Sequence, residues 1–447
     1  MTKEAHKSAF TTGSIMKHVI IMSLTGSIGL MALFLVDLID LYFLSILGNV
    51  ELASAVGYAG TILYFTTSVS IGLSIGTGAV ISKSVGAKQF LKAKRYLINI
   101  YAASFIICLF ISIFVYTYIP ELLALLGASK ESSLVAQKYL KIMVPSIPLM
   151  GLSMVSMAAL RAVGDAKRSM FATLSSAGVN AILDPIFIFT LALGIEGAAI
   201  ASVLARLTMF LVATYPVYKH HDLIIKFSTK EIIPYLKDFF QIAVPSIITN
   251  IATPVGVGYV TKIMATFGDS AIAGMSIVSR LTPVIFGVIF ALSGAVGPII
   301  GQNLGAKYMS RVKDTVIDSF KFLFVYVSII SVVLLFLPNW ITQVFAMDEK
   351  AGEVIKVFCH YVSITYIFAG ATFVANAAFN NLGKPQNSTI LNVSKATLGT
   401  IPFVYYGSLW YGPTGVLVGQ AIGAVFIGVI SVIWVMKHIQ NLKNKID

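Results

Sequence analysis

The chain has 447 residues, of which 57% are hydrophobic and 11% are charged, and its formal net charge is +13. A soluble protein carries roughly 25% charged residues, so this composition excludes an ordinary soluble domain and indicates an integral membrane protein. The sequence G-x-x-x-x-G-K-[ST] does not occur, which excludes direct use of ATP unless a partner chain supplies it, and we expect no cofactor.

Apolar stretches near or beyond the roughly 20 residues that span a bilayer recur along the whole chain. The pattern predicts an all-α membrane protein with twelve transmembrane helices, near 17–45, 52–82, 93–117, 133–160, 168–193, 196–219, 238–266, 271–301, 312–336, 352–380, 387–410 and 413–436.

The basic residues are distributed asymmetrically between the two sides of this series of helices. Of the 32 Lys and Arg residues, 23 fall in the loops and termini of one side. By the positive-inside rule both termini are cytoplasmic, and the net charge reflects topology rather than a nucleic-acid partner. The N-terminus lacks a cleavage pattern, so we expect an uncleaved first helix.

An internal repeat divides the predicted helices into two sets of six. Residues 71–88 and 290–307 share seven identities in eighteen at an offset of 219. Six spans per copy predict two pseudo-symmetric bundles related by an axis along the membrane normal. The predicted organisation is an N-terminal tail, a first bundle, a linker, a second bundle and a C-terminal tail, over 1–16, 17–219, 220–237, 238–436 and 437–447. The linker pattern also fits an amphipathic helix on the membrane surface.

Acidic side chains inside predicted spans are the strongest indication of function. Asp40 and the pair Asn180 and Asp184 lie in segments that are otherwise apolar. A charge at that depth costs about 3 kcal/mol, so such residues usually face a bundle interior and bind ions. Asn180 and Asp184 share one helix face, and Pro185 leaves the carbonyl of Ala181 without its usual N–H partner. These oxygens suit Na⁺ at Asp40, Asn180 and Asp184, or a proton shared by two carboxyls. A structural role as a cap or hydrogen-bond acceptor is the alternative for each aspartate.

Four segments resemble signatures of the multidrug and toxic compound extrusion (MATE) transporters. They are IDLYFLSILGNVELAS at 39–54, ALRAVGDAKRSM at 159–170, LDPIFIF at 183–189 and IIGQNLGAK at 299–307. Beyond Asp238 and Glu353 at their ends, the seventh and tenth helices contain no acidic residue, which resembles the DinF-like branch. The resemblance implies a MATE/MOP-type fold and a monomer in the bacterial inner membrane. It also implies export of organic small molecules, cationic or lipophilic, in exchange for inward H⁺ or Na⁺.

The resemblance also implies a fuller set of site residues. Ala198, through its carbonyl, Ser202, where the family commonly has Thr, and Tyr139 would complete the cation site around Asp40, Asn180 and Asp184. Apart from the resemblance, the residue pattern itself suggests a relay or substrate cavity at Asp37, Phe34, Met31, Met154, Met157, Tyr366, Asn376, Asn380 and Lys395. Asp37 has no family counterpart, so a structural role is its alternative, and an interfacial tyrosine is the alternative for Tyr139. The chain departs from the family at Thr25, where a proline is usual, so bending of the first helix is not assured.

Two other functions compete with this interpretation. A lipid-linked-precursor flippase of the same superfamily would need a strongly cationic cavity, and only Arg206 and Lys395 lie mid-span. A prenyltransferase-like intramembrane enzyme is suggested by Asp37-x-x-Asp40, but that chemistry needs a second acidic cluster, which the sequence lacks.

Overall fold

The computed structural model describes residues 8–46, 50–226, 232–345 and 347–446, and in these ranges all regular structure is helical. The α-helices are α1 Ile15–Ile46, α2 Val50–Gly86, α3 Phe90–Thr117, α4 Ile119–Leu125, α5 Lys130–Met143, α6 Ile147–Ala162, α7 Ala166–Pro185, α8 Gly194–Lys219, α9 Ile232–Ala265, α10 Asp269–Ile285, α11 Gly287–Gly305, α12 Met309–Leu335, α13 Pro338–Val344, α14 Glu349–Val357, α15 Tyr366–Asn381, α16 Pro385–Ala396 and α17 Ile401–Ile446. The predicted all-α membrane fold is confirmed.

Membrane-spanning helices account for most of the described residues. Eleven helical segments among these residues are long and apolar enough to cross a bilayer, and a shorter apolar helix covers Ser270–Ile285. The last segment, Pro385–Asn444, has 60 residues and is therefore longer than one crossing requires. It divides because α17 is broken at Gly412, whose φ of 59° lies in the left-handed region that glycine tolerates. The sequence had predicted this division as two spans, 387–410 and 413–436.

The predicted repeat is visible in the backbone of both halves. Lys88 and Lys307, 219 positions apart, both adopt positive φ, at 58° and 63°. Ser129 caps α5 and Asp348 caps α14 at the same offset, each accepting a hydrogen bond from a backbone N–H three residues later. Positive φ values and N-caps that recur at the same offset indicate a duplicated fold.

Two compact units can be distinguished by their internal packing. Of the described residues, the first unit contains Ser8, Ala9 and those within Ile28–Ile247, and the second contains Phe10–Ser27 and those within Ile248–Asp447. Two long helices, α1 and α9, therefore each contribute one part to one unit and the remainder to the other. In the first unit α9 approaches α2 closely, because a Cβ on Gly72 would lie 2.3 Å from the Ile247 side chain.

The segment that precedes α1 is fixed within the second unit by α11 and α12. Arg311 donates to the backbone carbonyls of Phe10 and Gly13 at 3.0 and 3.1 Å. The side chains of Asn303 and Gln302 bind the carbonyl and N–H of Phe10, whose side chain is buried. These contacts hold the start of the first helix by its backbone, so they tolerate sequence variation in the segment itself.

Candidate functional site

The centre of the candidate cation site lies near the C-terminal end of α7. Asn180 and Asp184 are one turn apart, and the amide nitrogen of Asn180 donates to the Asp184 carboxylate at 2.8 Å. The Asp184 side chain is 0% exposed and that of Asn180 is 5% exposed. Since α7 belongs to a candidate membrane span, this carboxylate is secluded from both lipid and bulk water.

A π turn follows the pair directly and widens the helix at this point. Residues Ile186–Thr190 form this turn, closed by a hydrogen bond from the N–H of Leu191 to the carbonyl of Ile186 at 2.9 Å. Pro185 immediately precedes the turn, and its missing N–H interrupts the regular hydrogen-bond ladder there. The sequence predicted a disturbance at Pro185 but not its form, and π turns often occur at functional sites.

The start of α8 packs directly against this turn. A Cβ atom on Gly197 would lie 2.7 Å from the carbonyl carbon of Phe187, so only glycine allows the observed approach. The neighbouring Ala198 is buried and packs with Ile188 of the π turn. The backbone around Ala198 is therefore held close to the segment that follows Asp184.

Two aromatic residues from other helices complete the wall of this region. Tyr139 of α5 and Phe43 of α1 pack against the cluster formed by Ile188 and Ala198. Phe43 also meets Phe189 edge to face, with ring centroids 5.7 Å apart. Val56 of α2 packs there too, so five elements converge on this cluster. Phe43 is a contact that the sequence interpretation missed, although it lies one turn after Asp40.

One face of α8 carries Ala198, Ser202 and Arg206 at four-residue spacing. Ser202 is half-buried. Arg206 donates to the hydroxyl of Ser146 at 2.9 Å, in the short 3-10 turn between α5 and α6. A fixed positive charge therefore lies one turn beyond Ser202 in this bundle.

Two aspartates that the sequence predicted near the site are not among the described side chains. The side chains of Asp37 and Asp40 lie outside the described part of the structure, as do Leu47 and Gly48 of the same motif. Their assignment to the cation site stays a prediction from sequence.

The predicted apolar surface of the first bundle includes a methionine-rich cluster. Met157 and Met209 are buried with two alanines, and Met154 packs against them. Met31 and Phe34 of α1 are half-buried. Their role in binding cargo stays a prediction.

In the second unit the predicted cavity residues fall into two groups. Tyr366 stacks on Phe286 with ring centroids 4.3 Å apart and lies within 3.4 Å of the Thr282 hydroxyl. Asn376 and Asn380 are buried further along α15, and the ammonium of Lys395 lies 5.5 Å from the ring centroid of Phe373. The second group is polar and the first is aromatic.

A separate charged cluster joins the loop before α7 to the end of α8. Asp165 caps α7, and its carboxylate also accepts hydrogen bonds from the side chains of Arg168 and His221. Burial alone would raise the pKa of Asp165, but the hydrogen bonds from His221 and Arg168 more than offset it and lower the pKa to about 2.

The first residues of the predicted linker are bound to this unit by an ion pair. Lys94 pairs with Asp222 at 2.9 Å. Residues 222–226 have no regular secondary structure.

We expect the cluster around Asp165 to make stability depend on acid pH. The folded pKa of Asp165 lies below its ordinary value of 3.8, so its contribution is complete above about pH 4 and disappears as the pH falls towards 2. We expect the free energy of unfolding to fall by about 2 kcal/mol over this pH range. Asp165→Asn keeps the cap but not the charge. Thermal unfolding in detergent should show a pH dependence between pH 4 and 2 for the wild type that Asp165→Asn lacks. The same pH dependence in both proteins would contradict this role of the Asp165 carboxylate.

No group of three or more His, Cys, Asp or Glu side chains that could hold a metal occurs in the described ranges. The carboxylate and amide of the Asn180 and Asp184 pair are instead hard oxygen donors of the kind that suit a transported alkali cation or a proton.

An all-helical chain of duplicated halves, with a buried carboxylate inside a membrane span, is typical of a membrane transport protein. The family model described as MatE matches residues 27–186 and 245–406. The chain belongs to this family of MATE transporters, and it is an efflux transporter and not an enzyme. The assignment to the DinF-like branch stays a prediction.

Similar proteins support the family throughout the chain. A "FAD transporter" of Shewanella oneidensis is 27% identical over 91% of both chains. The "Multidrug export protein MepA" of Staphylococcus haemolyticus is 28% identical over 91% of this chain and 90% of its own length. The fold is similar to that of an outward-facing multidrug resistance MATE family transporter of the MOP superfamily. Its TM-score is 0.93 at 22% identity, over 99% of this chain and 100% of that one.

Proposed function

We propose that this chain is a secondary active antiporter that exports organic compounds in exchange for inward H⁺ or Na⁺. The observation that carries the proposal is the Asn180 and Asp184 pair, whose carboxylate is fully buried in a membrane-spanning helix. A carboxylate at such depth is costly and is retained where it serves ion movement. The chain has no phosphate-binding motif, so an ion gradient supplies the energy.

Asp184 holds the cation in this proposal, and its neighbours shape the site. Asn180 orients the carboxylate by donating to it, and the backbone near Ala198 with the hydroxyl of Ser202 offers further oxygens. Asp40 is proposed as a second carboxylate from its sequence position. Cation and cargo each change the affinity of the protein for the other, a reciprocal coupling typically worth about 1–3 kcal/mol.

The cargo is proposed from the composition and the relatives. The methionine-rich cluster of the first bundle offers an adaptable apolar surface for varied compounds. The multidrug export protein and the FAD transporter that resemble this chain both carry organic compounds by name. We therefore propose lipophilic organic compounds, cations included, as cargo. From the distribution of the basic residues, we also propose that both termini lie in the cytoplasm.

Transport by the purified protein in liposomes tests this function. The vesicles carry a fluorescent lipophilic cation, and H⁺ and Na⁺ gradients are imposed separately. We expect one of the two gradients to drive the dye against its own gradient, and an ionophore that collapses that gradient to stop the movement. Dye movement that is the same with and without either gradient would overturn the proposal.

A further inference from the structure

The second unit contains a polar seam along the hairpin of α15 and α16. Three pairs of positions lie at equal distances from the turn at Lys384, namely Asn380 with Ser388, Asn376 with Asn392, and Phe373 with Lys395. Antiparallel helices joined by a short turn bring such positions to the same level. The contact between Lys395 and Phe373, at 5.5 Å, places the third pair together.

Several groups in this seam are buried without a hydrogen-bond partner. The amide oxygens of Asn376 and Asn380 and the hydroxyl of Ser388 have none among the described residues. The three side chains are 7%, 4% and 0% exposed. A buried polar atom left in this state costs about 1–3 kcal/mol, so the seam favours a polar occupant.

The other half of the molecule shows that the hairpin does not require these unpaired groups. Arg161 and Ser169 occupy the positions that correspond to Asn380 and Ser388 at the repeat offset of 219, and they hydrogen bond to each other at 3.0 Å. Met157 stands where Asn376 stands in the second unit. The first hairpin is thus satisfied or apolar at levels where the second is polar and unsatisfied.

The charge in the seam also lacks an acidic partner among the described residues. The side chain of Lys395 is half-buried in a membrane-spanning segment and forms no ion pair with any described residue. The sequence contains no Asp or Glu from residue 354 to 446, so α15, α16 and α17 cannot provide one. Intramembrane cations are usually neutralised by a partner.

We propose that this seam is a subsite for the anionic group of an aromatic organic cargo. This inference rests on the proposed function and extends its cargo from lipophilic cations to organic anions. Lys395 binds the anionic group, Phe373 and the neighbouring Phe290, 5.6 Å away by ring centroids, contact the aromatic rings, and the asparagine oxygens accept hydrogen bonds from the cargo.

Flavin mononucleotide and riboflavin form a matched pair of fluorescent probes, because they share one ring system and differ by a phosphate. We expect the purified protein in a neutral detergent to bind the mononucleotide at least about tenfold more tightly than riboflavin. Lys395→Gln should abolish that preference and Lys395→Arg should keep it. Lys262→Gln, which removes an exposed charge from α9, should leave it unchanged.

Equal binding of the two probes by the wild type, or an unaltered preference in Lys395→Gln, would overturn the anionic subsite. A preference that appears only when phosphatidylglycerol is absent, and disappears on its addition, would assign the charge to a lipid headgroup and overturn it also. The gradient-driven transport of the lipophilic dye is a separate measurement, so its failure would count against the antiport function and not against this subsite.

Discussion

We expect Asp184→Asn to fold and to lower the initial rate of gradient-driven export on the order of 100-fold. The amide has nearly the shape of the carboxylate and still accepts the hydrogen bond from Asn180 that spans 2.8 Å. It cannot carry the negative charge that holds H⁺ or Na⁺, so the coupling ion is lost. Dye efflux from proteoliposomes under each imposed gradient measures the effect.

The control for this substitution is the same chemical change at a surface carboxylate. Asp314 on α12 is exposed and lies outside the candidate site. Asp314→Asn should retain at least about half of the wild-type rate, because substitutions of exposed side chains outside a site usually have small effects. Export by Asp184→Asn at the wild-type rate under both gradients would show that the pair in α7 is structural.

Gly423→Ala should destabilise the protein by about 3 kcal/mol or more and reduce the yield of folded protein. A Cβ atom at this position would lie 1.4 Å from the carbonyl oxygen of Gly399, and one on Gly419 would lie 2.1 Å from that of Phe403. The obstacle is backbone on both sides, so no side-chain rotation relieves it. The arm of α17 after Gly412 would have to move away from the backbone at Gly399, just before α17 begins.

Gly258→Ala provides the matched control in the same unit. Its added Cβ would have no atom within 4 Å, and α9 is helical there. Alanine is favoured over glycine in a helix by about 1 kcal/mol, so this variant should equal or exceed the wild type. Thermal unfolding followed by size-exclusion chromatography compares the three proteins, and equal midpoints for Gly423→Ala and wild type would contradict the packing.

The fold was largely predictable because hydropathy and the repeat act over long stretches. The identities between 71–88 and 290–307 predicted a duplication, and the positive φ of Lys88 and Lys307 places it in the backbone. Gly419 and Gly423 lie four residues apart, a spacing that puts small residues on one helix face and favours the close packing observed there.

Local geometry at the site was less predictable from the sequence. The missing N–H of Pro185 indicates a break, but whether a helix kinks or widens into a π turn depends on tertiary packing such as that of Gly197 against Phe187. The contact of Arg206 with Ser146 joins positions 60 apart, which no local pattern encodes. The role of Asp40 in the cation site stays a prediction, because its side chain is not among the described ones.

The central claim is that the buried carboxylate of Asp184 binds the coupling cation and that cargo displaces this cation. Equilibrium binding tests it without turnover: purified protein is titrated with the lipophilic dye while proton release and Na⁺ binding are recorded. We expect the dye to release one of these cations from the wild type and none from Asp184→Asn. Dye binding that releases neither cation from the wild type, or equal release from both proteins, would contradict the account.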